Sequence, residues 1–118
     1  MKALLILLTL VLALQFSAAE TPVKVPERVG TTADFRELLL NTKWTWRNVS
    51  AGVPDRECVF MKDGTFRHPN FVAKFVIKDI NVVQLTRDGD KAVLTFDATY
   101  TSFEAIDFNK KRITGKRL

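Results

Sequence analysis

Hydrophobic and polar residues alternate along most of the chain after residue 42, and this period of two predicts β-strands. The clearest example is residues 71–78, where Phe71, Ala73, Phe75 and Ile77 would share one face. Similar alternation predicts further strands over residues 43–49, 56–62, 65–68, 82–87, 91–97, 102–108 and 112–118. The connections are short, so consecutive strands are expected to be antiparallel neighbours. We therefore predict a mainly β domain, an antiparallel meander of seven to eight strands that closes into a small barrel or folds into a sandwich.

Closure into a barrel is the favoured alternative because the chain has little else to protect its strand edges. It contains one cysteine, Cys58, which cannot form an internal disulfide. Nine Phe and two Trp supply the apolar area for a core held by packing alone. A closed barrel also leaves no unpaired edge strand.

Residues 63–64 and residues 88–89 are both Asp-Gly pairs, which are typical of tight hairpin turns. The second pair predicts a second hairpin turn, between the strands over residues 82–87 and 91–97. For the first pair we favour a three-residue loop with Gly64 in the left-handed conformation, which would pair Phe60 with Phe66. This register gathers apolar side chains on one face and charged side chains on the other.

Helical spacing precedes the strands. Phe35, Leu38 and Leu39 recur at intervals of three and four residues, and Thr31 stands three residues before Asp34, as in a capping box. We predict one helix of nine to ten residues that ends near residue 41. So short a helix is marginal alone, so it should dock its apolar face on the sheet.

The first nineteen residues have the pattern of a secretory signal peptide. A positive start at Lys2 leads into an apolar run over residues 3–14, and Ser17 and Ala19 are the small residues expected before a cleavage site. We predict cleavage after Ala19, an extended tether over residues 20–31 and a single domain over residues 32–118. The protein is then expected to be secreted or periplasmic, with no membrane span after cleavage.

Charge adds one candidate binding surface. The chain has a formal net charge of +5, and its densest basic stretch lies at the C-terminal end. These residues predict either a solvated hairpin or a patch for polyanions such as acidic polysaccharide or lipid headgroups. We do not expect a nucleic-acid partner for an exported protein without a base-stacking motif. The candidate polyanion-binding residues are Lys110, Lys111, Arg112, Lys116 and Arg117.

Five segments between residues 39 and 97 form a pattern. The sequence Leu-Leu-Asn-Thr-Lys-Trp at 39–44 comes just before the first strand, and Phe-Met-Lys-Asp-Gly-Thr-Phe at 60–66 forms the first hairpin; the others are residues 75–77, 83–85 and 94–96. Together they resemble small exported lipocalin-like (calycin-type) β-barrel domains. The resemblance implies a barrel with a binding role more often than a catalytic one.

The same resemblance implies two features around Trp44, a glycine before it and an arginine packed on it. Lipocalins carry a Gly two residues before this Trp, where this chain has Thr42, and an Arg of their last strand packs on the Trp. In this chain Arg112 and Arg117 are both candidates for that role. The chain is also shorter than a full lipocalin.

The function that we expect is therefore that of an exported, non-enzymatic protein that binds a small apolar ligand or a partner surface. The alternative is a solid-core interaction module that binds polyanionic surfaces through the basic C-terminal residues. If a ligand enters the barrel, its expected walls are Trp44, Trp46, Phe60, Phe66, Phe75 and Phe96.

A weaker alternative is a thiol-dependent enzyme, because the preferred register places Cys58 opposite His68. One His and one Cys are too few for a structural zinc site, so no metal is expected. Asp97 and Glu104 alternate with inward apolar residues and are expected to face solvent. We therefore predict no catalytic residue and no cofactor.

Overall fold

The computed structural model describes residues 28–118, which form one helix followed by a closed antiparallel barrel of eight strands. The predicted signal peptide and residues 20–27 of the predicted tether lie outside the described residues. The predicted fold class is confirmed, with eight strands and closure. The elements are α1 (Thr32–Leu40), β1 (Lys43–Asn48), β2 (Arg56–Phe60), β3 (Thr65–His68), β4 (Phe71–Asp79), β5 (Val82–Arg87), β6 (Asp90–Phe96), β7 (Ser102–Ile106) and β8 (Arg112–Lys116).

The barrel closes through the pairing of β1 with β8. Arg47 lies opposite Thr114 and Asn48 opposite Ile113, and every other strand pairs with its neighbours in sequence. Because all eight strands have two partners, none of them presents an open edge.

Antiparallel strands give the barrel two distinct ends. We call the end beside α1 the helix rim; its loops are residues 61–64, 80–81 and 97–101. We call the opposite end the mouth; its loops are residues 49–55, 69–70, 88–89 and 107–111.

Both predicted hairpins have the expected geometry. Phe60 lies opposite Phe66, Gly64 has a φ of 87°, and the Met61 N–H donates to Thr65 O at 2.8 Å. These contacts confirm the three-residue loop. The predicted turn at residues 88–89 is confirmed: both residues have positive φ angles, and Arg87 pairs with Asp90, which makes it a two-residue loop.

A third turn of the same kind carries no glycine. Lys110 has a φ of 63°, and its N–H donates to Asp107 O at 3.0 Å. The Asp107 carboxylate accepts the backbone N–H groups of Asn109 and Lys111 at 2.9 and 2.8 Å. These side-chain hydrogen bonds hold the turn where sequence alone shows no Asp-Gly signal.

Helix α1 closes the helix rim. Thr31 Oγ1 accepts the Asp34 N–H at 3.1 Å and caps the helix, as predicted. Phe35, Leu38 and Leu39 are buried, and the Phe35 ring lies 5.1 Å from the Phe96 ring. The helix therefore contributes its apolar face to the barrel core.

Aromatic side chains dominate the interior. The core includes Trp44, Phe66, Phe103 and Ile113, all of them at most 1 % exposed. No polar or charged residue among residues 28–118 is fully buried. The fold is thus stabilised by apolar burial and ring packing, as expected for a chain without an internal disulfide.

Candidate functional site

All six residues predicted as ligand walls lie in the core, and they pack against one another. Ring centroids are 5.0 Å apart for Trp44 and Phe96, 5.6 Å for Trp46 and Phe66, and 5.2 Å for Phe60 and Phe75. These are ordinary distances for aromatic pairs in contact. The six side chains therefore fill the space that a ligand deep in the barrel would need.

Thr42, where the resemblance led us to expect a glycine, makes two side-chain hydrogen bonds. Its Oγ1 accepts a hydrogen bond from the Trp44 indole N–H at 2.9 Å and donates one to Leu38 O at 2.7 Å. The hydroxyl thus satisfies the buried indole and links it to the end of α1. Of the two candidate arginines, Arg117 forms an isolated antiparallel β-bridge with Trp44. The Arg112 side chain instead donates a hydrogen bond to the Glu104 carboxylate.

The mouth of the barrel holds a second aromatic group, which we call the mouth cluster: Trp46, His68, Phe71, Arg87 and Phe108. The His68 ring stacks on Phe71 with centroids 4.5 Å apart and meets the Trp46 ring edge-on at 5.6 Å. Phe108, from the loop of residues 107–111, packs on Phe71 at 5.5 Å. Phe108 is only 9 % exposed, so this loop covers the mouth.

His68 is the polar member of the mouth cluster that lacks a full set of hydrogen bonds. Its Nδ1 accepts the Asn70 N–H at 3.1 Å, so the neutral ring carries its proton on Nε2. Within residues 28–118, Nε2 is buried and has no hydrogen-bond partner. Burial, followed by the charge of Arg56, lowers the pKa of His68 below its usual range.

Two arginines give the mouth a positive charge. The Arg87 guanidinium lies 4.5 Å from the Phe108 ring centre and 5.2 Å from that of Phe71. Arg56 lies across from Trp46 in the β1–β2 pairing. Among the described residues, neither Arg56 nor Arg87 has a carboxylate within 4.0 Å.

The environment of His68 makes a prediction about pH. Because its folded-state pKa is lowered, the unfolded chain binds a proton first, and stability falls as the pH drops below about 6.5. His68 is the only histidine, so urea titrations between pH 7.5 and 5 isolate its effect. Replacing it with Phe should raise the free energy of unfolding by about 1 kcal/mol and flatten this pH dependence. An unchanged pH dependence in the variant would contradict the assignment.

Cys58 does not have the surroundings of a reactive thiol. It is 1 % exposed, its Sγ donates to Trp44 O at 3.5 Å, and burial raises its pKa to about 12. The pairing of β2 with β3 ends at Val59 and Arg67, one residue before the predicted pair of Cys58 and His68. A thiol with this pKa stays protonated near neutral pH, so it is a poor nucleophile.

The carboxylates that we considered have structural partners. Desolvation acts to raise the pKa of Asp97, but the N–H groups of Thr101 and Ser102 at 2.8 and 3.2 Å and the hydroxyls of Thr99 and Thr101 donate to its carboxylate, and together they lower the pKa to about 2. Glu104 is exposed, as predicted, and lies 3.4 Å from Arg112. Residues 28–118 contain no cluster of three or more His, Cys, Asp and Glu side chains suited to a metal ion.

The predicted basic residues are all exposed, but they fall into two groups. Lys110, Lys111 and Arg112 lie at the mouth, and Lys116 and Arg117 lie at the helix rim. Strand β8 separates the groups by about 13 Å, from four residues at ~3.3 Å each.

Each basic group borders a different surface depression. Lys110 and Arg112 line an outer groove of about 610 Å³ on β6–β8, together with Lys91, Val93 and Ile106. Arg117 lines a cleft of about 730 Å³ at the helix rim, whose other lining residues include Arg28, Leu38, Thr42 and Tyr100.

Sequence reasoning found part of the mouth cluster and missed the rest. It placed Trp46 among the ligand walls and Phe71 on the inner face, and it singled out His68 for a different chemistry. Phe108 and Arg87 were missed. Phe108, predicted to end the strand over residues 102–108, lies instead in the loop after β7, and Arg87 ends β5. Periodicity carries no information about how such residues converge.

No helix among the described residues is both long enough and apolar enough to cross a membrane. No protein-family model, curated protein or solved structure matches the chain.

Proposed function

We propose that this chain is an exported, non-enzymatic binding protein of lipocalin-like character whose mouth binds a small organic anion with an apolar or aromatic body. The observation that carries the proposal is the buried Nε2 of His68, which has no hydrogen-bond partner among the described residues. An unsatisfied buried donor destabilises a fold by about 1–3 kcal/mol, and a ligand acceptor would remove that penalty.

The surroundings of His68 indicate the chemistry of the ligand. Trp46 and Phe71 provide flat apolar contacts, which suit an aromatic or aliphatic body. Arg56 and Arg87 supply positive charge at the same end of the barrel, which favours a carboxylate or sulfonate. Phe108 covers this site, so binding requires the loop of residues 107–111 to move.

Two further considerations support a binding role. The closed β-barrel is the kind of fold that the lipocalin resemblance implies, and this is an argument from analogy. The protonated thiol of Cys58 and the turn-bound carboxylate of Asp97 do not favour catalysis. The apolar leader of residues 3–14 supports export.

Binding of 1-anilinonaphthalene-8-sulfonate, an aromatic anion, tests this proposal. We expect saturable binding that quenches Trp fluorescence, with a dissociation constant at least tenfold higher for His68→Phe and for Arg87→Gln. Arg47→Gln is the matched control, because Arg47 is exposed and pairs with Asp55 at 2.8 Å. Near-UV circular dichroism must show that each variant keeps its tertiary packing. Equal affinities for all four proteins would refute the mouth as the binding site.

A second candidate function is binding of a polyanion at the outer groove. It is favoured by the exposed Lys91, Lys110 and Arg112 that line this groove. Retention on immobilised heparin, a soluble sulfated polysaccharide, should fall with added salt and with Lys91→Gln/Lys110→Asn. Asn tolerates the left-handed backbone at position 110.

A further inference from the structure

Three exposed apolar side chains, interrupted by the half-buried Gln84, lie in one row across the outside of the barrel. The register pairs Val76 with Gln84, Gln84 with Val93, and Val93 with Ile106, so these residues follow one line across β4–β7. Val76, Val93 and Ile106 are 51, 45 and 52 % exposed. At ~4.8 Å between strands, the row is about 14 Å long.

Cations lie beside this row on the side nearer the mouth. Lys74 pairs with Thr86 and Thr86 with Lys91, two residues along each strand from the apolar row. Lys110 and Arg112 line the outer groove next to Ile106. We call the apolar row together with Lys74, Lys91, Lys110 and Arg112 the outer face.

Most of this positive charge is not neutralised locally. In the part of the chain that the structure describes, Lys74, Lys91 and Lys110 have no carboxylate within 4.0 Å. Asp107, which also lines the groove, accepts backbone N–H groups of its own turn. Only Arg112 is paired, with the exposed Glu104 at 3.4 Å. A second copy of the chain would bring like charges together, so the outer face does not suit self-association.

We propose that the outer face binds the surface of an anionic lipid membrane, an inference that rests on the second candidate function. Lysines in a row match a layer of phosphate headgroups, and valine and isoleucine side chains match the acyl boundary just beneath it. A soluble polyanion would satisfy the lysines but leave the apolar row in water. The lipid surface accounts for both halves of the face.

Co-sedimentation with vesicles of phosphatidylcholine containing one third phosphatidylglycerol tests this inference on protein recovered from a secreting host. We expect binding to these vesicles, and none to pure phosphatidylcholine. Val93→Thr/Ile106→Thr should weaken vesicle binding at least tenfold, because threonine keeps the β-branched shape but adds a hydroxyl. Val76→Thr, in the apolar row but outside the lining of the outer groove, should also weaken vesicle binding and should leave heparin retention unchanged. The control is Val53→Thr, an equally exposed valine in the loop between β1 and β2.

The outcomes separate this inference from the function on which it rests. Heparin retention without vesicle binding would refute the membrane surface and keep the polyanion site. If the natural protein showed neither heparin retention nor vesicle binding, both the membrane surface and the polyanion site would be refuted. Equal vesicle binding by Val93→Thr/Ile106→Thr and the natural sequence would also overturn the proposal, because the apolar row would then take no part.

Discussion

Replacement of Gly115 by alanine is expected to lower the free energy of unfolding by about 3 kcal/mol, because overpacking a filled core destabilises by this order. Gly115 lies on the inner face of β8, directly across from Phe103 on β7. A Cβ atom at this position would overlap the Phe103 ring. Phe103 cannot easily move away, because its ring also packs on Trp44 and Phe96 at 5.8 and 5.3 Å.

Urea denaturation followed by Trp fluorescence measures this effect. Gly30→Ala is the matched control, since Gly30 is exposed and a Cβ there meets only Asp34 at 3.7 Å. That variant should stay within about 0.5 kcal/mol of the natural sequence. Adding Phe103→Leu to Gly115→Ala should recover at least about 1 kcal/mol. If the effects of Gly115→Ala and Phe103→Leu on the free energy of unfolding were strictly additive, the Phe103 ring would not be what excludes the alanine methyl group at position 115.

Phe35→Ala is expected to destabilise the protein by about 4 kcal/mol, the usual effect of removing a buried phenyl ring. Phe35 is fully buried and packs on Phe96 and Tyr100 at 5.1 and 5.4 Å. Helix α1 has nine residues and would be marginal without this contact. The substitution should therefore also reduce the helical signal in far-UV circular dichroism before the barrel unfolds.

Thr32→Ala is the control for this prediction, because Thr32 lies in the same helix with its side chain exposed. It should change stability by less than about 0.5 kcal/mol. A loss below 1 kcal/mol for Phe35→Ala would mean that α1 does not form part of the core in solution.

Local sequence determined the two Asp-Gly hairpins and the helix cap. Gly64 and the pair at residues 88–89 adopt positive φ angles that other residues rarely accept, so these turns are encoded where they occur. The cap of Thr31 on Asp34 is likewise a contact over three residues. At residues 107–111 the sequence predicted a connection between two strands but not its geometry, because Asp107 stabilises this turn through side-chain hydrogen bonds rather than through a glycine.

The sequence also predicted which residues lie on the inner and outer faces of the strands, because successive side chains of a strand point to opposite sides of the sheet. All six predicted wall residues are indeed inside. Alternation does not say whether inward rings enclose a cavity or touch. That depends on the diameter of the closed barrel, and here the ring centroids of contacting pairs lie 5.0–5.6 Å apart.

The sequence by itself therefore determined the mainly β class of fold, the two Asp-Gly turns and which face of each strand lies inside. Only the tertiary structure decided what meets at the mouth, where His68 from β3, Arg87 from β5 and Phe108 from a loop converge. The tertiary structure also places the basic residues in two groups, one at the mouth and one at the helix rim, and aligns Val76, Val93 and Ile106 in one row. The physical reason is that hydrophobic periodicity and turn residues determine structure over a few neighbouring residues. Strand register and barrel closure, in contrast, bring together residues that are far apart in the chain.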